Sequence, residues 1–252
     1  MKIQFLSDLH LEVPKNVRYF KENKIKSCGD LLIIAGDTMC WDENTLKNPF
    51  WDDLASAFAQ VLVIAGNHEF YKGYDIVSVQ SCLQGAIREN INWYYNKSVV
   101  IDGVQIILST LWSHISSDIS DRIRSYVNDF SCIQYAGQLL TIDQYNEENR
   151  SCIDFITGEL QKDYSKRIVV THHAPILEAI NENVRNSWFA TLYANSLNEL
   201  IRANNNYYCI YGNSHSGMQA FNHHDTTLVT NPCGYLSKKE NLSFDPNMII
   251  TV

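Results

Sequence analysis

The sequence lacks paired cysteines, basic clusters and long apolar runs, and each absence removes a class of function. Seven cysteines (Cys28, Cys40, Cys82, Cys132, Cys152, Cys209 and Cys233) are scattered with no C-x-x-C pair. An odd count without framework spacing argues against a disulfide scaffold or zinc ribbon and for thiols kept reduced. Against 28 Asp and Glu there are only 20 Lys and Arg, a net charge of −8, and the densest basic group, Lys21, Lys24 and Lys26, is interrupted by Glu22. A protein that grips a phosphate backbone needs a basic stripe, so no long nucleic acid is expected as partner. No apolar run approaches the ~20 residues of a membrane-spanning helix. The opening residues 1–6 meet Ser7 and Asp8 too early to form a secretory core. These features together predict a soluble, cytoplasmic chain with no membrane partner.

What is present is core-forming material: 45% hydrophobic residues against 19% charged, ample for a sizeable interior. No repeat, low-complexity tract or Pro/Gly/Ser linker divides the chain, so one domain over residues 1–252 is expected. Short apolar runs at residues 3–6, 31–35, 61–65, 168–171 and 207–211 read as strands buried on both faces. Between them lie helical patterns. Residues 49–60 open on Pro49; Thr141-x-x-Gln144 reads as a capping box before Tyr145, Cys152, Ile156 and Leu160; residues 189–202 place Leu192, Leu197, Leu200 and Ile201 at amphipathic spacing. Asp102-Gly103 between residues 99–101 and 104–108 is a two-residue hairpin signal, and residues 218–221 with 228–230 suggest a second pair. The order predicts an α/β fold.

Each of the five apolar runs ends in polar residues, the place where α/β sheets carry their ligands. Asp8 and His10 follow the first, Asp37 the second, Asn67 and His68 the third, His172 and His173 the fourth, and Asn213 and His215 the fifth. Singly, each has an ordinary reading as a turn, cap or core residue. Together they supply carboxylate, imidazole and carboxamide donors for two divalent cations, one carboxylate bridging. Two cations ~3.5–4 Å apart lower the pKa of a shared water, so that hydroxide can attack a phosphate ester near neutral pH, and they neutralise the phosphoryl oxygens.

Asp8-x-His10, Gly36-Asp37, Gly66-Asn67-His68-Glu69, Thr171-His172-His173 and Gly212-x-Ser214-His215 resemble the successive motifs of the calcineurin-like metallophosphoesterases. Thr110-Leu111-Trp112 and Asn231-Pro232-x-Gly234-Tyr235 resemble a bacterial, largely uncharacterised subgroup. The resemblance implies a four-layer αββα sandwich with its site at the strand ends, and a phosphodiesterase or phosphomonoesterase acting on a small phosphorylated substrate. It implies one metal on Asp8, His10, Asp37 and His215, and a second on the shared Asp37 with Asn67, His172 and Asn213. It makes His68 the general acid, with Asp37 the other catalytic residue, and sets Glu69 behind the ligands. His173 is read as supporting His172 or facing substrate, the two histidines being alternatives for one ligand position. Manganese is put first as the ion, with iron, zinc and nickel as alternatives.

The family's last motif normally reads Gly-His-x-His, whereas Asn213 stands at its first histidine here. Whether Asn213 is natural variation or an introduced change, a carboxamide is a poorer donor than imidazole for borderline metals, so the second site is expected to be weakened. Cys40 occupies the position of the tyrosine ligand found in the purple acid branch, which argues against a ferric–tyrosinate site. Trp112, Ser113 and His114 are read as cleft residues or as core edge. Trp188 and Phe189 read as a core anchor or substrate cap, His223 and His224 as loop residues, and Arg122, Arg124 and Arg185 as phosphate clamps by residue type alone. The competing readings are a catalytically impaired binding or scaffold protein on the same fold, and a nuclease, which the acidic charge disfavours.

Overall fold

A computed structural model describes every residue except Glu43 and residues 205–207. The chain runs through β1 (Lys2–Leu6), α1 (Pro14–Glu22), β2 (Leu31–Ala35), α2 (Pro49–Ala57), β3 (Val61–Ile64), α3 (Ile76–Cys82), β4 (Gln84–Arg88), β5 (Ile91–Tyr94), β6 (Lys97–Ile101) and β7 (Val104–Ser109). It continues through α4 (Ser120–Tyr126), α5 (Asp129–Cys132), the small ribbon β8 (Gln134–Tyr135) and β9 (Gln138–Leu139), α6 (Ile142–Leu160) and β10 (Arg167–Thr171). It closes with α7 (Glu182–Arg185), α8 (Asn198–Arg202), β11 (Tyr208–Tyr211), β12 (Phe221–His223), β13 (Thr226–Thr230) and β14 (Ile249–Thr251). One six-stranded sheet has the order β14-β1-β2-β3-β5-β4 and the other β12-β13-β11-β10-β7-β6.

The sheets pack face to face because their strands are apolar on both faces. Ile3, Phe5, Ile33, Leu62 and Ile64 of the first meet Ile106, Leu108, Ile168, Val170 and Ile210 of the second in a buried layer. The alternate residues point outward under helices: Leu32 and Ile34 beneath Phe20, Trp51 and Leu54, and Ile107 and Val169 beneath Cys152 and Ile156. The result is the four-layer αββα sandwich expected. Truncating a central side chain such as Ile33, fully buried, to Ala costs about 2–5 kcal/mol.

The local signals that specify their own geometry hold. Asn48 caps α2 by accepting from the Phe50 N–H, with Pro49 in the first turn. Both halves of the Thr141–Gln144 capping box are made. Asp102 and Gly103 take φ of 50° and 76°, joining β6 to β7 with Ile101 opposite Val104. Residues 189–202 do not form one helix. They break into a 3-10 turn at Ala190–Leu192 and α8, because Ala174 and Pro175 hydrogen-bond to the chain between. Ala174 N donates to Tyr193 O, and Asn195 N and Leu197 N donate to Ala174 O and Pro175 O. The late hairpin pairs Phe221–His223 with Thr226–Thr230, so residues 218–220 lie outside it and His223 ends a strand. Tyr207, expected to open β11, lies outside the described residues.

In the first sheet β1, β2 and β3 are parallel neighbours, and in the second β10 and β11 are. Their carboxyl ends meet at one end of the sandwich. Gly212 N donates to His172 O, and Thr110 Oγ1 of the second sheet donates to Ala65 O of the first.

Candidate metal centre

Five of the residues picked out in the sequence leave their strands in the left-handed region: Asp8 (φ 56°), His10 (47°), Asp37 (53°), Asn213 (64°) and His215 (47°). Asp, Asn and His tolerate this better than other non-glycine residues, but each such residue costs of order 1 kcal/mol, and such conformations cluster at functional sites. The turns aim the side chains inward. Single ligand atoms of Asp8, His10, Asp37 and His215 lie within 4.8 Å of one another, all buried or nearly so. Two glycines make the approach possible. A Cβ on Gly66 would stand 2.3 Å from Asp37 Oδ1, and one on Gly36 2.3 Å from His172 Nδ1.

The histidines are held in one orientation by partners behind them. His10 Nδ1 lies 2.9 Å from Glu12 Oε1, His215 Nδ1 2.9 Å from Glu240 Oε2, and His172 Nδ1 2.9 Å from Ala35 O. An Nδ1 facing an acceptor carries the proton, so Nε2 is left as the donor atom toward the centre. His10 Nε2 and His215 Nε2 are 2.8 Å apart, and His172 Nε2 is 3.2 Å from Asn67 Oδ1. The Asn67 amide nitrogen donates to Asp129 Oδ1 at 3.0 Å, which fixes Oδ1 as the atom facing His172. Lone pairs so arranged repel unless a proton or a cation lies between them. The donor set therefore fits metal ions, and the chain carries a buried Asp/His metal-binding group.

Charge is strongly coupled here. Burial would raise Asp37, but His172 and His68 outweigh it and hold its carboxyl well below the usual range. Burial opposes charge on His172 too, yet Asp37, 3.4 Å from Nε2, brings it up to about 9. Without a cation His172 keeps a proton at neutral pH, and a binding cation must displace it. His173 is pushed down to about 3 by burial and by His172. Its Nε2 faces Tyr145 Oη at 3.3 Å, away from the donor group. Of the pair, His172 sits beside Asp37 and Asn67.

His68 begins a 3-10 turn on the open side of the centre. Its Nδ1 lies 2.9 Å from Glu12 Oε1 and its Nε2 4.0 Å from Asp37 Oδ2. Burial disfavours its charge, but Asp37, Cys40 and Glu12 hold its pKa well above the ordinary value. Glu69 points inward: Oε2 accepts from Asp37 N and Gly66 N at 2.9 and 2.7 Å, and Oε1 from Thr38 N at 2.7 Å. It ties the second and third strand-end loops together, with a carboxyl raised by burial and by Asp37 to about 8. Asn213 N donates to both Asp8 oxygens at 3.1 Å, and its side chain lies in the cleft wall.

Other sequence candidates fall elsewhere. Trp112 is fully buried with Nε1 donating to Tyr95 Oη at 2.8 Å, Ser113 is buried against Tyr145 and Leu192, and His114 is exposed. Arg122, Arg124 and Arg185 are absent from the cleft lining among the described residues. Cys40 is buried, and burial pushes its thiol up. Sequence reasoning missed Glu12, Asp129 and Glu240. Glu12 continues the alternation of Asp8 and His10, a signal that could have been read; Asp129 and Glu240 carry none.

Residues 1–216 match the family described as calcineurin-like phosphoesterase. The chain belongs to that family. It is a phosphate ester hydrolase of the metal-dependent type. A relative, the uncharacterized protein L509 of Acanthamoeba polyphaga mimivirus, is 28% identical over 276 aligned residues, which take in 99% of this chain and 96% of that one. The phosphopantetheinyl hydrolase PptH from Mycobacterium tuberculosis superposes with a TM-score of 0.66 at 15% identity, covering 96% of this chain and 93% of that one. GAP50, the anchor in the inner membrane complex of Plasmodium, gives 0.52 at 15%, covering 93% and 71%. At that identity the two structures show the shared fold alone. Among the described residues no helix is long and apolar enough to cross a membrane.

Proposed function

We propose that the protein hydrolyses a small phosphomonoester or phosphodiester with two divalent cations. One would be held by Asp8, His10, Asp37 and His215, the other by Asp37, Asn67, His172 and Asn213. The observation that carries this reading is the inward set of Nε2 atoms, each with its Nδ1 tied to an acceptor behind it. When bound, such a pair of ions activates water and neutralises phosphoryl oxygens. Imidazole, carboxylate and carboxamide donors suit manganese, which we put first, and also iron, zinc or nickel.

The chain's own groups do the rest. Water supplies the oxygen that bonds to phosphorus while the ester P–O bond breaks. The departing oxygen takes a proton from His68 Nε2, which solvent then restores. Glu12 holds His68 by Nδ1 and keeps the ring protonated and oriented. Glu69 fixes the loops that carry Asp37 and Asn67. Retention of an oriented acid is not needed by a scaffold, which favours the enzyme over the impaired binding protein.

Chelator-stripped protein is expected to be inactive on p-nitrophenyl phosphate or bis-p-nitrophenyl phosphate and to regain turnover with Mn2+. His68→Gln should lower turnover of alkyl esters by ~10²–10⁴ and of nitrophenyl esters, whose leaving group needs little protonation, much less. No turnover of any ester by the Mn2+-loaded Asn213→His form would favour the scaffold.

A further inference from the structure

The cleft in front of the metal-binding group encloses about 600 Å3, a volume in the range that holds drug-sized molecules. A phosphoryl group fills a small part of it, so the rest must fit the alcohol portion of the ester. The wall away from Asp37 includes Tyr126, Val127, Val184, Leu192 and Tyr193. Tyr126, the last residue of α4, lies nearly parallel to Phe189 (centroids 5.3 Å apart, 20° between planes) and edge-on to Trp188 (5.2 Å, 70°). Trp188 is itself covered by the Arg122 guanidinium at 3.6 Å from its ring centroid. Tyr126 is thus braced by two aromatic rings, yet 54% of it remains exposed. A core anchor would be covered. A ring braced behind and open at a cleft wall is a stacking platform.

Lys238 is the one Lys or Arg among the described cleft-lining residues, whereas the lining carboxyls of Asp37, Asp129 and Glu240 belong to the ion-binding end, against His172, Asn67 and His215. Its Nζ sits 4.7 Å from the Tyr235 ring centroid. Beyond the ion-binding end the described lining holds no carboxylate, so the aromatic wall is the feature left to recognise the alcohol.

From this geometry we infer that the substrate is a phosphate ester of an alcohol that carries a flat aromatic ring, the ring stacking on Tyr126. The inference rests on the phosphoesterase reading and names the substrate class of the same site.

The test uses the full Mn2+-loaded chain and two esters, benzyl phosphate and cyclohexylmethyl phosphate. Their leaving alcohols are similar in acidity, so kcat/KM reports the ring. Benzyl phosphate is expected to exceed cyclohexylmethyl phosphate by about tenfold, the scale of an aromatic pair. Tyr126→Ala should raise KM for benzyl phosphate by about the same factor with kcat unchanged, should raise KM for the cyclohexylmethyl ester less, and Tyr126→Phe should restore both. Benzylphosphonate and cyclohexylmethylphosphonate, which are not hydrolysed, are titrated calorimetrically into the same preparations. A preference for the benzyl compound that Tyr126→Ala abolishes would support the platform even if no ester turned over, an outcome that would sink only the catalytic reading. Equal affinity for the two phosphonates, or a benzyl preference that survives Tyr126→Ala, overturns the inference.

Discussion

Glu12 is the residue on which the centre's proton arrangement can be tested most directly. Its Oε1 lies 2.9 Å from both His10 Nδ1 and His68 Nδ1, so one oxygen orients an expected ligand and the expected acid together. Burial alone would raise this carboxyl, but the hydrogen bonds and charges of the two histidines outweigh it and bring it from 4.5 to about 2. Its side chain is only 16% exposed, so solvent screens the pair little. A depressed carboxyl contributes stability that is present above the unfolded pKa and lost as pH falls toward the folded one, a difference here of about 3 kcal/mol. Glu12→Gln removes the charge while leaving an oxygen of similar shape. In chelator-treated protein, urea unfolding should show the wild type more stable than Glu12→Gln by up to about 3 kcal/mol above pH 4.5. That gap should have shrunk by about half at pH 3. With the carboxylate behind His10 gone, Mn2+ affinity should fall by about 10–100-fold, the usual effect of losing such a partner. Unfolding curves for the two proteins that stay parallel from pH 7 to pH 3 would refute the charge argument. An unchanged Mn2+ titration would refute the orienting role.

Two further substitutions probe the ligand shell. Asn213→His places an imidazole in a left-handed position that histidine tolerates, and should tighten binding of the weaker Mn2+ by about tenfold, ~1.4 kcal/mol, and raise turnover; superimposable Mn2+ activation curves for the two forms would defeat it. Gly66→Ala sets a methyl 2.3 Å from Asp37 Oδ1 and 2.7 Å from His172 Cε1; overpacking should cost about 1–3 kcal/mol in a thermal melt and weaken metal binding, and a wild-type melt would show that the two side chains can move aside.

What the sequence disclosed and what it hid divide along a physical line. Strands buried on both faces must be continuous apolar runs, and the chain has to turn where they stop, so Leu6, Ala35, Ile64 and Thr171 announce the positions of Asp8, Asp37, Asn67 and His172. Capping boxes and Asp-Gly turns are equally local, and Thr141, Gln144 and Asp102 behave as their chemistry dictates. The hairpin of β4 and β5 was not legible, because Gly85 and Ala86 in the middle of β4 have poor strand propensity and are held there by pairing with Trp93 and Asn92. Residues 189–202 failed for the opposite reason. Their helical spacing is real, but Ala174 and Pro175 offer main-chain partners that a continuous helix would leave unpaired.

The same division runs through the site. Donors that face the centre come from strand ends and could be ordered from the sequence. The carboxylates behind them come from wherever the fold brings an acceptor. Asp129 reaches Asn67 across 62 residues, and Glu240 reaches His215 across 25. Nothing local marks either one, since an acidic residue in a polar loop has the same composition whether it orients a ligand or faces water. Yet these hidden groups decide which atom each inward side chain offers. Without Asp129 the Asn67 amide could turn its nitrogen toward His172, and without Glu12 and Glu240 the protons of His10 and His215 could sit on Nε2 instead of Nδ1. A motif can name the donors of such a centre, but it is the long-range carboxylates that turn those donors into ligands.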